Sequence, residues 1–150
     1  MKKKYLYNQK NKDELLTILE NEDFKRNTIS FYKYVKLDNL DILRDKLYLS
    51  WNKLNILGRV YIAKEGINAQ INIPEHNLKK FKDLLYSIKE FNNVPFKVAI
   101  KDGMSFYKLT IKIKNEIVAY NISSDKYNIN KIGKHLNYKE YNKAIDNGAI

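Results

Sequence analysis

A lysine, a carboxylate and an amide stand side by side at Lys64-Glu65-Gly66-Ile67-Asn68. On one tight turn they could orient a small ligand or the edge of a base. Gly66 most simply supplies the positive φ that such a turn requires. Glu65 has no carboxylate or histidine nearby in sequence with which to form an acid–base pair. A turn also favours glycine and asparagine for conformational reasons alone. The chain has no cysteine, which removes disulfides, zinc–thiolate sites and thiol nucleophiles. Its two histidines, His76 and His135, share no metal-ligand spacing, and no cofactor is evident. His76 reads as a surface residue in a first helical turn and His135 as a loop residue beside Gly133. Catalytic triads, phosphate-cradling loops and dinucleotide fingerprints are absent.

A second set of residues points to a polyanion. Tyr32 and Tyr34 offer rings for unpaired bases, and Arg59, Lys64, Lys108 and Lys112 offer cations for phosphates. The formal net charge of +11 fits nucleic acid as a partner. Only Arg26, Arg44 and Arg59 are arginines, however. Lys, Asn, Ile and Tyr together make up about half the chain, as AT-rich codons would produce. Solvated lysine faces therefore explain the charge as well as RNA does.

These residues need elements to position them. Asn11 and Glu14 have the spacing of a capping box, ahead of a short helix through Leu15, Leu16 and Leu19 to about Asn21. Thr28 to Val35 has strand composition, with Ile29, Phe31, Lys33 and Val35 on one face, core-facing up to Lys33, and Ser30, Tyr32 and Tyr34 on the other. Asp38 is placed to cap a helix whose stripe is Leu40, Leu43, Leu47, Trp51 and Leu54. Arg59–Ala63 and Ile67–Ile73 read as two strands joined at Gly66. In the second, Ile67, Ala69, Ile71 and Ile73 point inward, and Asn68, Gln70 and Asn72 point outward. Pro74 and Glu75 open a helix with Leu78, Phe81, Leu85 and Ile88 on its apolar side.

From Phe96 the period of two returns, and Asp102-Gly103 predicts a hairpin into the run Tyr107–Lys114. Asn115-Glu116 marks a kink before a last strand-like run, Ile117–Tyr120. Residues 121–136 show no period. Asn137 and Glu140 then cap a helix with the stripe Tyr138, Tyr141 and Ile145, ended by Asn147-Gly148. The order strand, helix, strand, strand, helix, strand predicts an α+β fold of the ferredoxin-like split βαβ type, an antiparallel sheet with two helices on one face. The predicted divisions are an arm at 1–25, a ferredoxin-like domain at 26–122 and a C-terminal loop and helix at 123–150. The outward face then collects Ser30, Tyr32, Tyr34, Arg59, Tyr61, Asn68, Gln70, Lys108, Thr110 and Lys112. No apolar run is long enough to span a bilayer, and the basic start lacks the apolar region of a signal peptide. The expectation is a soluble, cytoplasmic protein.

At RNTISFYKYV, LGRVYIAKEGINAQINIP, KLTIKIKNEIVAYNI and GKHLNYKEYN the sequence resembles the amino-terminal part of the bacterial tRNA uridine hydroxylases, rhodanese-related proteins. The resemblance runs from about Arg26 to Ile145, and its most specific part is the A-x-E-G-I-N-A-Q run, Ala63 to Gln70. It implies oxygen-dependent hydroxylation of the wobble uridine, with tRNA as partner and molecular oxygen as co-substrate. It also implies a rhodanese domain bearing an active-loop cysteine, which this sequence does not contain. The expectation is thus the amino-terminal domain without its rhodanese domain, contributing RNA binding and part of an active site. A separately encoded rhodanese-like domain is a second expected partner. Glu65, Gly66 and Asn68 form the family-shaped loop, and no catalytic residue is assignable. The alternatives are a non-catalytic ferredoxin-like module that binds RNA or protein, and an inactive truncated relic. A phosphate hydrolase of the acylphosphatase type shares the topology, but the arginine-bearing glycine-rich loop after its first strand is missing here.

Overall fold

A computed structural model of the chain describes residues 6–99, 106–118, 131, 133 and 136–148. Its elements are α1 (Lys12–Glu20), β1 (Arg26–Tyr34), α2 (Leu40–Lys53), β2 (Leu57–Ala63), β3 (Gly66–Pro74), α3 (Leu78–Tyr86), β4 (Lys97–Val98), β5 (Leu109–Ile113) and α4 (Tyr138–Asp146). Short 3-10 turns, Glu75–Asn77 and Lys89–Phe91, flank α3. The strands lie in the order β4-β1-β3-β2-β5. Neighbours among the first four are antiparallel, and these strands form the predicted ferredoxin-like α+β core.

The fifth strand corrects the predicted hairpin. β5 pairs in parallel with β2, from Gly58↔Leu109 to Ile62↔Ile113, at the edge opposite β4. The runs on either side of Asp102-Gly103 are therefore not hairpin partners, and residues 100–105 lie outside the described part. In the four-strand order β2 would be an edge with a free row of backbone groups. β5 pairs that row and adds Leu109 and Ile111 to the core.

Period-two alternation builds one buried layer. Ile29 and Phe31 of β1, Val60 and Ile62 of β2, and Ile67, Ala69, Ile71 and Ile73 of β3 are all buried. Over them lie Leu47, Tyr48 and Trp51 of α2 and Phe81 and Leu85 of α3. The Trp51 and Phe81 rings meet edge to face at 5.2 Å, so the two helices share one side of the sheet. Burial pushes the Tyr48 phenol above its ordinary pKa, against the opposing pull of Arg44. The Arg44 guanidinium lies 5.3 Å from the Tyr48 ring centroid. It also donates to the carbonyls of Leu6 and Ile111, tying the N-terminal arm to β5.

Both predicted capping boxes form, Asn11 with Glu14 and Asn137 with Glu140. Asp38, by contrast, does not cap α2. Asn39 is the cap, in a left-handed conformation (φ 49°) and with no side-chain capping bond, a conformation that asparagine tolerates. Asn72 holds the outward register but is buried, and the Thr28 hydroxyl donates to its side-chain oxygen at 2.6 Å. The outward face is therefore closed at that end. The stripe of α4 stays unpacked among the described residues, with Tyr138, Tyr141 and Ile145 all exposed. Among the described residues no helix is long and apolar enough to cross a membrane.

Candidate functional site: the outward sheet face

Strand pairing sets the outward residues in rows. One runs Lys97, Ser30, Gln70, Arg59, Thr110 from β4 to β5, and the next runs Tyr32, Asn68, Tyr61, Lys112. Neighbours within a row stand about 4.8 Å apart. None of the outward strand residues described is acidic. The face is thus cationic and aromatic by composition, and only register brings its members together from five separate strands.

Tyr32 is half exposed, with the Tyr34 ring edge-on at 6.2 Å. Arg59, Lys64 and Lys112 are exposed, Lys64 at the tip of the β2–β3 hairpin. Lys108 is exposed too, but its ammonium lies 5.8 Å from the ring centroid of its neighbour Tyr107. Tyr61 is covered in part, with the Lys114 ammonium 5.4 Å from its ring centroid. Lys97, Pro95, Ser30 and Gln70 line a groove beside Tyr32. Lys97 and Pro95 could be joined to this face only once β4 was known to pair with β1. The ferredoxin-like strand order was the available signal.

The hairpin tip has a structural task. Lys64 and Glu65 are its two turn residues, and their carbonyls accept the N–H groups of Leu37 and Val35 just after β1. Gly66 has φ +147°, and an added Cβ would overlap the Lys33 carbonyl oxygen. Its need is close approach to β1 as well as backbone freedom. The Glu65 carboxylate is buried and accepts the Ile117 N–H at 2.6 Å. The Asn68 amide donates to the Ile117 carbonyl at 3.2 Å. Carboxylate and amide together pin the segment after β5 across the tip, and Ile117 is buried there. This replaces the strand predicted from Ile117. Residues 117 and 118 are bends, because Ile117 bonds to side chains and not to a neighbouring strand. Residues 119 and 120 lie outside the described part.

Glu65→Ala should leave the Ile117 N–H without its charged acceptor. A hydrogen bond to a charged group contributes about 1.5–3 kcal/mol, so amide exchange at Ile117 should accelerate about 10- to 150-fold. Hydrogen exchange read at that residue checks this, and unchanged protection would refute the clamp.

His76 is exposed, with its ring edge-on to Phe24 at 5.1 Å; His135 lies outside the described residues. Among the described residues no group of three or more His, Asp or Glu side chains could hold a metal ion.

Residues 26–117 match the family model described as the UPF0176 acylphosphatase like domain. The chain is 48% identical over 142 residues to the tRNA uridine(34) hydroxylase of Leptospira interrogans, a match covering 94% of this chain and 39% of that protein. It is 41% identical over 144 residues to the tRNA uridine(34) hydroxylase of Photorhabdus laumondii, covering 95% of this chain and 41% of that protein. The protein of the same name from Enterobacter sp. (strain 638) is 40% identical over 143 residues, covering 94% and 41%. The chain thus spans about two fifths of the length of these relatives. Residues 35–39, which follow β1, contain neither glycine nor arginine, so the acylphosphatase likeness is one of architecture. Strand order, hairpin and matched span agree, and the chain belongs to the UPF0176 family, whose acylphosphatase like domain it carries at residues 26–117.

Proposed function

We propose that this chain acts in tRNA modification, as the RNA-binding part of a hydroxylase directed at the uridine at tRNA position 34. The observation that carries this is the outward face, cationic and tyrosine-bearing with no acidic strand residue described on it, in a chain whose relatives bear that enzyme's name. Tyr32 and Tyr34 contribute stacking surfaces, and Arg59, Lys64, Lys108 and Lys112 contribute phosphate contacts. Glu65, Gly66 and Asn68 act by holding the hairpin and the segment over it. Hydroxylation would draw on molecular oxygen as co-substrate, with a rhodanese-like domain in the same or another polypeptide completing the site. Neutralising four phosphates of a single strand makes log affinity fall with log salt at a slope of about −2.8. Filter binding of tRNA at a series of salt concentrations should show that slope, and a flat response would refute the RNA role.

A second reading, a protein-interaction module, draws on α4. Its exposed Tyr138, Tyr141 and Ile145 form a stripe with no partner among the described residues. Ile145→Asp should then abolish co-purification with a rhodanese-like domain while leaving tRNA affinity unchanged.

A further inference from the structure

The outward face divides unequally. On the β2–β5 side the Tyr61 ring is occupied by Lys114, and the Asn68 amide is spent on Ile117. On the β4–β1 side the Tyr32 ring is half exposed and held edge-on by Tyr34, beside a groove floored by Ser30 and Gln70. Pro95 and Lys97 line that groove at the sheet edge. From β4 to β3 is two strand spacings, about 10 Å, and the segment pinned on Asn68 bounds the far side.

We propose that this half of the face seats a single unpaired nucleotide of an RNA strand, a site that rests on the RNA-binding reading above. The base stacks on Tyr32, the most exposed of the outward tyrosines on the described strands. Gln70 and Ser30 offer donors and acceptors to its edge, the Gln amide supplying both kinds at once. Lys97 lies one strand over from Ser30, with its Cα about 8 Å from that of Tyr32 by strand geometry. That places its ammonium within reach of the nucleotide's phosphate. Tyr32 offers a single open ring there, so the seat takes one stacked base. Two features favour a nucleotide over a peptide. The lining has the exposed Lys97 at its outer edge and no acidic residue, while Lys33, in the inward register of Phe31, donates to the Asn92 carbonyl at 3.5 Å. Its floor is polar but uncharged.

The test uses the full chain and a fluorescein-labelled hexauridylate, read by anisotropy, with tRNA alongside. Tyr32→Ala should weaken hexauridylate binding about 5- to 150-fold, the range for loss of one base stack, with an unchanged salt slope. Tyr32→Phe keeps the ring and should stay within about threefold of the parent. Tyr61→Ala should change affinity by less than about twofold. Lys97 is a phosphate contact beyond the four counted above, so it should steepen the slope by about 0.7, and Lys97→Ala should remove that increment. Equal losses at Tyr32→Ala and Tyr61→Ala, or equal losses at Tyr32→Ala and Tyr32→Phe, would overturn the seat. If the parent binds RNA with the expected salt slope but Tyr32→Ala binds as the parent does, the seat falls and the RNA reading stands. If neither RNA binds with salt dependence, both fall. Melting temperatures of the four variants, expected to match the parent for these surface side chains, exclude unfolding as the cause.

Discussion

Gly66→Ala is expected to destabilise the protein by roughly 2–6 kcal/mol. Two independent penalties combine. At φ +147° an L-residue sits in a region that is almost wholly glycine's, which costs about 1–3 kcal/mol. The new methyl also overlaps the Lys33 carbonyl oxygen and comes within 3.1 Å of the Tyr34 Cα, and forced overpacking costs about 1–3 kcal/mol more. Neither neighbour can yield easily, because both are backbone of β1 paired along all of β3. Domains of this size have only about 5–15 kcal/mol in total. With a urea m-value of about 2 kcal/mol/M, the unfolding midpoint should fall by about 1–3 M. Gly133→Ala is the control, since an added Cβ there meets nothing within 4 Å. An unchanged midpoint for Gly66→Ala would show that β1 and the hairpin tip can part without loss.

Phe81→Ala should cost about 3–5 kcal/mol. The Phe81 ring is fully buried and meets three others, Trp51 at 5.2 Å, Phe96 at 5.9 Å and Phe31 at 6.4 Å. It therefore joins both helices to the sheet and to the segment entering β4. Removing it leaves a cavity that the rigid strands beneath cannot fill. At roughly 2–4 °C per kcal/mol the melting temperature should fall by about 6–20 °C. Leu84 lies on the same helix but 41% exposed, so Leu84→Ala should stay within about 0.5 kcal/mol of the parent. Similar losses at both positions would mean that α3 is not seated as described. Phe31 alternates with Tyr32 on β1, so loosening this core should also blur the outward face above it.

Much of the architecture could be read locally. The alternation from Ile67 to Ile73 placed four residues inward, and all four are buried. The stripe Leu40, Leu43, Leu47, Trp51, Leu54 gave α2, and both capping boxes form as spaced. Such patterns depend on neighbours within a few residues, and the hydrophobic effect acts on them whatever lies further along the chain. The misreadings share the opposite property. Asp102-Gly103 has the composition of a hairpin turn, yet β4 and β5 went to opposite edges, because each found an unpaired strand edge elsewhere. Ile117-Val118 has strand composition, yet Glu65 and Asn68 took up Ile117's backbone groups from 52 and 49 residues away.

The sequence by itself determined that the chain would fold as two helices over a sheet, and that tyrosines, lysines and an Arg would share the sheet's other side. It also singled out Lys64 to Asn68 as a tight hairpin tip, because period-two alternation and the demand for glycine are local. Only the tertiary structure decided what that tip does. A carboxylate and an amide that could have faced a ligand are spent on the backbone of Ile117, because a buried N–H and C=O must find partners. Among the described residues that closure leaves Tyr32, Gln70 and Lys97 together on the open β4–β1–β3 side of the face, a grouping made by long-range pairing that no local pattern encodes.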